Sequence, residues 1–211
     1  MPSSFVFPTV TGIWNTPGGT SPMADFVQFM HPKASKDLLN YINAHSFPCT
    51  IAKGQFLVAA GEVCRHVFFI QKGAMRAYIQ EKKKDITTWI TTEGEMITSI
   101  RGFDLQQPSL ENIQAIEDCQ LVGAHYDNLQ YCYDNFLEMN IVGRKLLEAY
   151  YRSAEERAFI ARLSTATGRY QHFVATKGHL INRLPLKYIA SYLGMTIETL
   201  SRIRSSLSSS Q

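Results

Sequence analysis

No stretch of this 211-residue chain stays apolar for more than a handful of positions, so nothing in it reads as a membrane-spanning segment and no membrane partner is expected. The four cysteines, Cys49, Cys64, Cys119 and Cys132, are scattered and form no Cys-x-x-Cys pair. That excludes the usual spacing of zinc and iron–sulfur ligands and fits reduced thiols in a cytoplasmic protein. The histidines are dispersed too. A P-loop, a His-Glu-x-x-His pair and a nucleophile elbow are all missing, so the chain is not read as an enzyme and no metal or cofactor is expected. Charge is sparse, at 18% of residues with a net +3, and residues 1–22 carry none at all. Those 22 residues lack the basic and continuous apolar regions of a secretory signal. They read as an irregular arm; packing through Phe5, Phe7 and Trp14, or a functional start at Met23, stays open.

What the chain does have is apolar content of 45%, enough for one large domain or two modest ones, and an informative C-terminal end. Leu186, Ile189, Ala190 and Leu193 fall at i, i+3, i+4 and i+7, one face of a helix. Pro185 suits its first turn, and Gly194 supplies the left-handed residue that ends it. Thr196 then restarts a helix as N-cap, with Leu200, Ile203 and Leu207 on its inner face. Ile197, Glu198, Ser201, Arg202 and Arg204 face away from the supporting helix. This is the spacing of a helix-turn-helix, whose outer face enters a DNA major groove. From 177 to 204 there are five Lys or Arg against one acid, so positive charge is concentrated where phosphate binding needs it.

From about 48 to 129 short apolar segments are punctuated by Gly54, Gly61, Gly73, Gly94 and Gly102, the pattern of an all-β unit. Val67–Ile70, as a run, reads as a buried strand closed by Gly73, and 75–80 as a second strand making a hairpin with it. The run Glu81-Lys82-Lys83-Lys84-Asp85 reads as a solvated hairpin tip before a strand over 86–91, its lysines nearly cancelled by the flanking acids. Within 57–73, LVAAGEVCRHVFFIQKG resembles the first signature of the cyclic-nucleotide-binding β-roll. Joined to a C-terminal helix-turn-helix, it makes the chain similar to the Crp/Fnr superfamily of bacterial transcription regulators over roughly 25–207. The resemblance implies an α+β fold: an N-terminal double-stranded jelly roll, a long dimerisation helix and a winged helix-turn-helix. The expected divisions are the arm at 1–22, the β-roll with its N-terminal helices at 23–134, the dimerisation helix at 135–164 and the DNA-binding domain at 165–211. The segment 135–163 has no proline, and its apolar residues, among them Met139, Val142, Leu146, Leu147, Tyr150, Ala154, Phe159 and Ile160, cover two faces. One suits the β-roll and the other a second subunit.

The family's second signature captures a cyclic phosphate with an arginine and a ribose hydroxyl with a glutamate. Here Gly94 and Glu95 are present, but Ser109 falls where the arginine belongs, with Glu111 nearby. Losing a charge-assisted bidentate pair means that tight binding of cyclic AMP is not expected. Glu95, Ser99, Arg101 and Ser109 remain the candidate effector pocket, with Arg101 as an alternative phosphate ligand. His66 and His125 have no spacing that singles them out as haem ligands. The stretch 106–109, Gln-Gln-Pro-Ser, most resembles a Crp/Fnr group that lacks the nucleotide signature and has no assigned ligand. Carried over by resemblance, Thr196 is a phosphate-contacting hydroxyl, while Glu198 and Arg202 read bases and Ile197 touches a thymine methyl or sugar. Lys187, Thr199, Ser201 and Arg204 are cast as phosphate contacts. The expectation is a cytoplasmic homodimer that reads an inverted repeat in double-stranded DNA, with RNA polymerase as a further candidate partner. The competing reading is a small-molecule or cyclic-nucleotide sensor whose C-terminal helices contact protein.

Overall fold

The computed structural model describes residues 19–208, so Phe5, Phe7 and Trp14 of the expected arm lie outside it. The first helix, α1 (Pro22–Met30), begins one residue inside that arm. Ser21 is fully buried and caps it, its Oγ accepting from the Ala24 N–H at 3.1 Å while its own N–H donates to Asn43 Oδ1. Helix α2 (Lys36–His45) is capped in the same way by Ser35.

Eight strands follow: β1 (Ser46–Ile51), β2 (Phe56–Val58), β3 (His66–Lys72), β4 (Met75–Glu81), β5 (Lys84–Thr91), β6 (Met96–Ile97), β7 (Asn112–Ala115) and β8 (Cys119–His125). A short helix, α3 (Ile100–Asp104), interrupts them between β6 and β7. They form two antiparallel four-stranded sheets, ordered β1-β8-β3-β6 and β2-β7-β4-β5. Phe69, Ile70, Met75, Ile97, Ile113, Leu121 and Val122 fill the core and are nearly inaccessible. The expected β3–β4 hairpin is absent. The two strands lie in different sheets, because each carries a run of four consecutive buried residues and the sandwich covers both. The chain turns between them at Gly73, φ +102°, where an added Cβ would stand 2.6 Å from Cys119 Sγ. The tight hairpin is instead β4–β5, closed by Lys82 and Lys83.

After α4 (Tyr126–Asn135), the long helix α5 (Leu137–Arg162) lies within the expected 135–164. Met139, Val142, Gly143 and Ile160 are its buried residues. The Tyr150 hydroxyl ties α5 to β6, donating to the Met96 carbonyl at 2.6 Å and accepting from its N–H at 2.9 Å. The other face is open: Leu147 is 70% and Tyr151 73% exposed.

Three helices complete the described residues: α6 (Ala166–Lys177), α7 (Leu186–Tyr192) and α8 (Ile197–Ser208). Among the described residues no strand follows β8, so they do not form the wing of the expected winged domain. Between α6 and α7 the chain takes a 3-10 turn, Gly178–Leu180. Leu180 and Leu184 are both buried there, at a spacing that suits a helical turn and not an alternating strand, and the Leu184 N–H bonds back to the Leu180 carbonyl. The helices share their core with the β-roll: Phe173, Leu180, Ile189, Leu193 and Leu200 pack in one cluster with Ala74, Ile90 and Ile116.

Candidate nucleic-acid interface and effector pocket

The turn between α7 and α8 takes its shape from local chemistry. Gly194 sits at φ +63°, and Thr196 Oγ1 accepts from the Thr199 N–H at 3.2 Å, satisfying an otherwise orphan donor at the start of α8. Ile189, Ala190, Leu193 and Leu200 are at most 2% exposed and hold the two helices together. Lys187, Thr196, Ile197, Glu198, Ser201 and Arg202 are exposed, and Thr199 and Arg204 are half-buried. All eight candidate contact residues therefore belong to one two-helix unit. The Glu198 carboxyl is held below its usual range by its own backbone N–H and by the Thr196 hydroxyl, so it turns toward the start of α8 and leaves Arg202 solvent-facing.

The candidate effector residues do not come together as a group. Ser99 and Ser109 do meet, both about 2% exposed or less, with Ser99 Oγ donating to Ser109 Oγ at 2.8 Å. Ser99 also caps α3 by accepting from the Gly102 N–H, while Ser109 Oγ bonds the Glu111 carbonyl and amide. Their hydroxyls are thus committed to each other and to local backbone. A Cβ on Gly102 would stand 2.9 Å from Ser99 Oγ, a measure of how tightly α3 packs here. Glu111 points its carboxylate at Thr88 Oγ1 and Trp89 Nε1, each at 3.2 Å, and burial raises its pKa. Arg101 is exposed and donates to Gln107. Glu95 accepts from the Thr92 N–H and faces Lys177 of α6, His179 of the 3-10 turn and Arg157 of α5. Burial raises its pKa, partly offset by those cations. The Gly-Glu pair turns the chain into the short strand β6, and the side chain leaves toward α5 and α6. Among the described residues no group of three or more histidine, cysteine or acidic side chains is arranged to hold a metal, and no helix is long and apolar enough to cross a membrane.

Residues 48–135 match the cyclic nucleotide-binding domain family. Over 176 residues the chain is 30% identical to the fumarate and nitrate reduction regulatory protein of Yersinia pestis, covering 72% of this chain and 65% of that protein. It therefore spans just under two thirds of that relative's length. Among solved structures it is similar to FixK2 from Bradyrhizobium japonicum, with a TM-score of 0.66 at 20% identity over 78% of this chain and 85% of that one. It is also similar to a CooA mutant from Carboxydothermus hydrogenoformans, with a TM-score of 0.65 at 18% identity over 84% and 80% of the two chains. The chain has the Crp/Fnr fold.

In this chain the two-helix unit α7–α8 is fastened to the β-roll by contacts that no local pattern announces. Ser191 of α7 donates to the Asp85 carbonyl and accepts from the Thr87 N–H, both at 2.9 Å. Arg76 of β4, only 4% exposed, lies between the rings of Tyr78 and Tyr188 at 4.0 and 4.2 Å and donates to Asp85 and Gln114. Arg183, just before α7, forks onto Glu93 and Glu117 of the β-roll, with closest contacts of 2.6 Å to each. Burial pushes the Glu93 carboxyl up, but the Arg183 and Gly73 donors outweigh it and hold that group below its usual range. The β-roll partners of Ser191 and Arg183 are 66 to 106 residues away in sequence, which is why sequence spacing carried no sign of them.

Proposed function

We propose that this chain is a cytoplasmic DNA-binding transcription regulator of the Crp/Fnr type, dimeric, reading an inverted-repeat site and not gated by cyclic AMP. The observation that carries the reading is the α7–α8 unit: apolar positions buried, and Glu198, Ser201 and Arg202 exposed on the outer face of α8. Arg202 suits a bidentate contact to guanine and Glu198 an acceptor for the cytosine amino group, each good contact discriminating by about 1–3 kcal/mol. Lys187, Thr196, Thr199, Ser201 and Arg204 suit phosphate, with Ile197 against a thymine methyl or sugar. The open face of α5, with Leu147, Tyr151 and Phe159, supports pairing with a second copy, which would set two recognition helices about one DNA turn apart. The mutual Ser99–Ser109 hydrogen bond supports a β-roll that has given up cyclic-phosphate capture. RNA polymerase is proposed as a further partner only by resemblance.

The test is selection of bound fragments from random and genomic DNA with purified protein, with and without cyclic AMP, for the wild type and Arg202→Ala. The expected result is an inverted repeat enriched equally in both conditions, with relaxed preference at one position per half-site in the variant. Failure to enrich any sequence would favour protein contacts as the role of the C-terminal helices.

A further inference from the structure

The three consecutive lysines of the β4–β5 hairpin belong to none of the sites above, yet the fold brings them beside the helix-turn-helix. Glu81 pairs with Lys84 and Gln80 with Asp85, so Lys82 and Lys83 alone form the two-residue turn. Such a turn needs positive φ at both central residues, and here they stand at +55° and +125°. Glycine or asparagine meets that requirement at much lower cost, so the chain holds two charged side chains in a conformation they do not favour. All three lysines are exposed.

The flanking acid does not cancel them. Asp85 is engaged by the buried Arg76 at 2.8 Å, which leaves Lys82, Lys83 and Lys84 against Glu81 alone. The base of the hairpin is also fixed to α7: Ser191 bridges the Asp85 carbonyl and the Thr87 amide, and Tyr188 covers Arg76. One turn before Ser191 on the same helix is Lys187, exposed at the start of α7 with its ammonium 4.9 Å from the Tyr188 ring. An exposed, locally uncompensated cluster of ammonium groups near Lys187, itself proposed to contact phosphate, suits the backbone of a nucleic acid.

We infer that the tip of the β4–β5 hairpin, Lys82, Lys83 and Lys84, is a second DNA-contact element that grips backbone phosphates beside the segment read by α8. This rests on the proposed DNA binding. It makes the β-roll part of the DNA interface and extends the footprint beyond the recognition helix, with no added base specificity.

The experiment is fluorescence anisotropy on the selected duplex, across a series of salt concentrations and with long or trimmed flanks. It compares the wild type, the triple variant Lys82→Gln, Lys83→Gln, Lys84→Gln, and a charge-matched control, Lys33→Gln, Lys36→Gln, Lys53→Gln. Glutamine removes the charge and keeps an unbranched Cβ, so the turn's backbone cost is unchanged, and circular dichroism checks the fold. Loss of contacts by the hairpin variant lowers the slope of log affinity against log salt by roughly 0.9 for each phosphate released. The expected total is about 2 on the long duplex, little on the trimmed one, with base preference retained and the control near wild type. An unchanged slope in the hairpin variant, or an equal loss in the control, overturns the inference while the wild type still binds. Unchanged DNA binding with lost promoter transcription assigns the tip to a protein partner and overturns it too. If the wild type binds no duplex, the underlying DNA reading fails and takes this one with it.

Discussion

Replacing Arg76 by glutamine removes the cation at the centre of the joint between the β-roll and the helix-turn-helix. Its guanidinium is 4% exposed, stacked between Tyr78 and Tyr188, and paired with Asp85 at 2.8 Å. Deleting one member of a buried ion pair costs about 3–5 kcal/mol, and Asp85 is 38% exposed and able to hydrate, which places this loss near the lower end, at about 3 kcal/mol. Tyr188→Leu keeps apolar cover but removes one ring of the stack, for about 1–2 kcal/mol in a largely desolvated site. Since the two residues touch, the double variant loses less than the sum, with a coupling energy of about 1–2 kcal/mol. The assay is a double-mutant cycle by urea denaturation at neutral pH, with Arg76→Lys as a further arm. Lysine keeps the charge but not the planar fork, so it recovers only part of the loss. Coupling below about 0.5 kcal/mol, the scatter expected for independent sites, would refute the claim that this stack joins the two parts of the chain.

Converting Leu147 and Tyr151 to glutamate is expected to leave the far-ultraviolet spectrum unchanged and yield a monomer in sedimentation velocity. Each of these apolar side chains is worth about 1.5–3 kcal/mol when buried, and two-fold pairing buries each twice; a wild type that sediments as a monomer contradicts the dimer. Glu93 has its pKa depressed in the folded state, chiefly by Arg183 acting against burial, so its contribution to stability is complete above the ordinary carboxylate pKa and is lost as the pH falls through the folded value. Arg183→Ala should therefore flatten the acid limb of a stability-against-pH curve below about pH 4.5, with denaturation midpoints as the readout; an unaltered limb would show that the clamp does not form in solution. Ser109→Arg forces a guanidinium into a site already filled by Ser99 and local backbone and should destabilise the fold by about 1–3 kcal/mol without producing heat on titration with cyclic AMP. Nucleotide binding restored by that single change would mean the pocket is open.

What the sequence determined by itself was local. The apolar faces of α7 and α8, the cap at Thr196 and the left-handed turn at Gly194 are set by residues within one or two helical turns of each other, so spacing and side-chain chemistry were enough to place them. The two-faced character of α5 and the β-roll signature over 57–73 were legible for the same reason. Tertiary structure decided which neighbours long-range pairing supplies. Buried runs in β3 and β4 look like a hairpin in one dimension, but both need cover, and the sandwich places them in opposite sheets. Glu95 follows a Gly-Glu pattern, yet the turn into β6 sends its carboxylate toward α5 and α6, while Ser99 and Ser109 close on each other. The charge of the hairpin tip is the clearest case: in sequence Asp85 offsets the lysines, and in the folded chain Arg76 engages it. Local propensity acts over a few residues, whereas electrostatic pairing and burial depend on distance in space, which the chain's order does not encode.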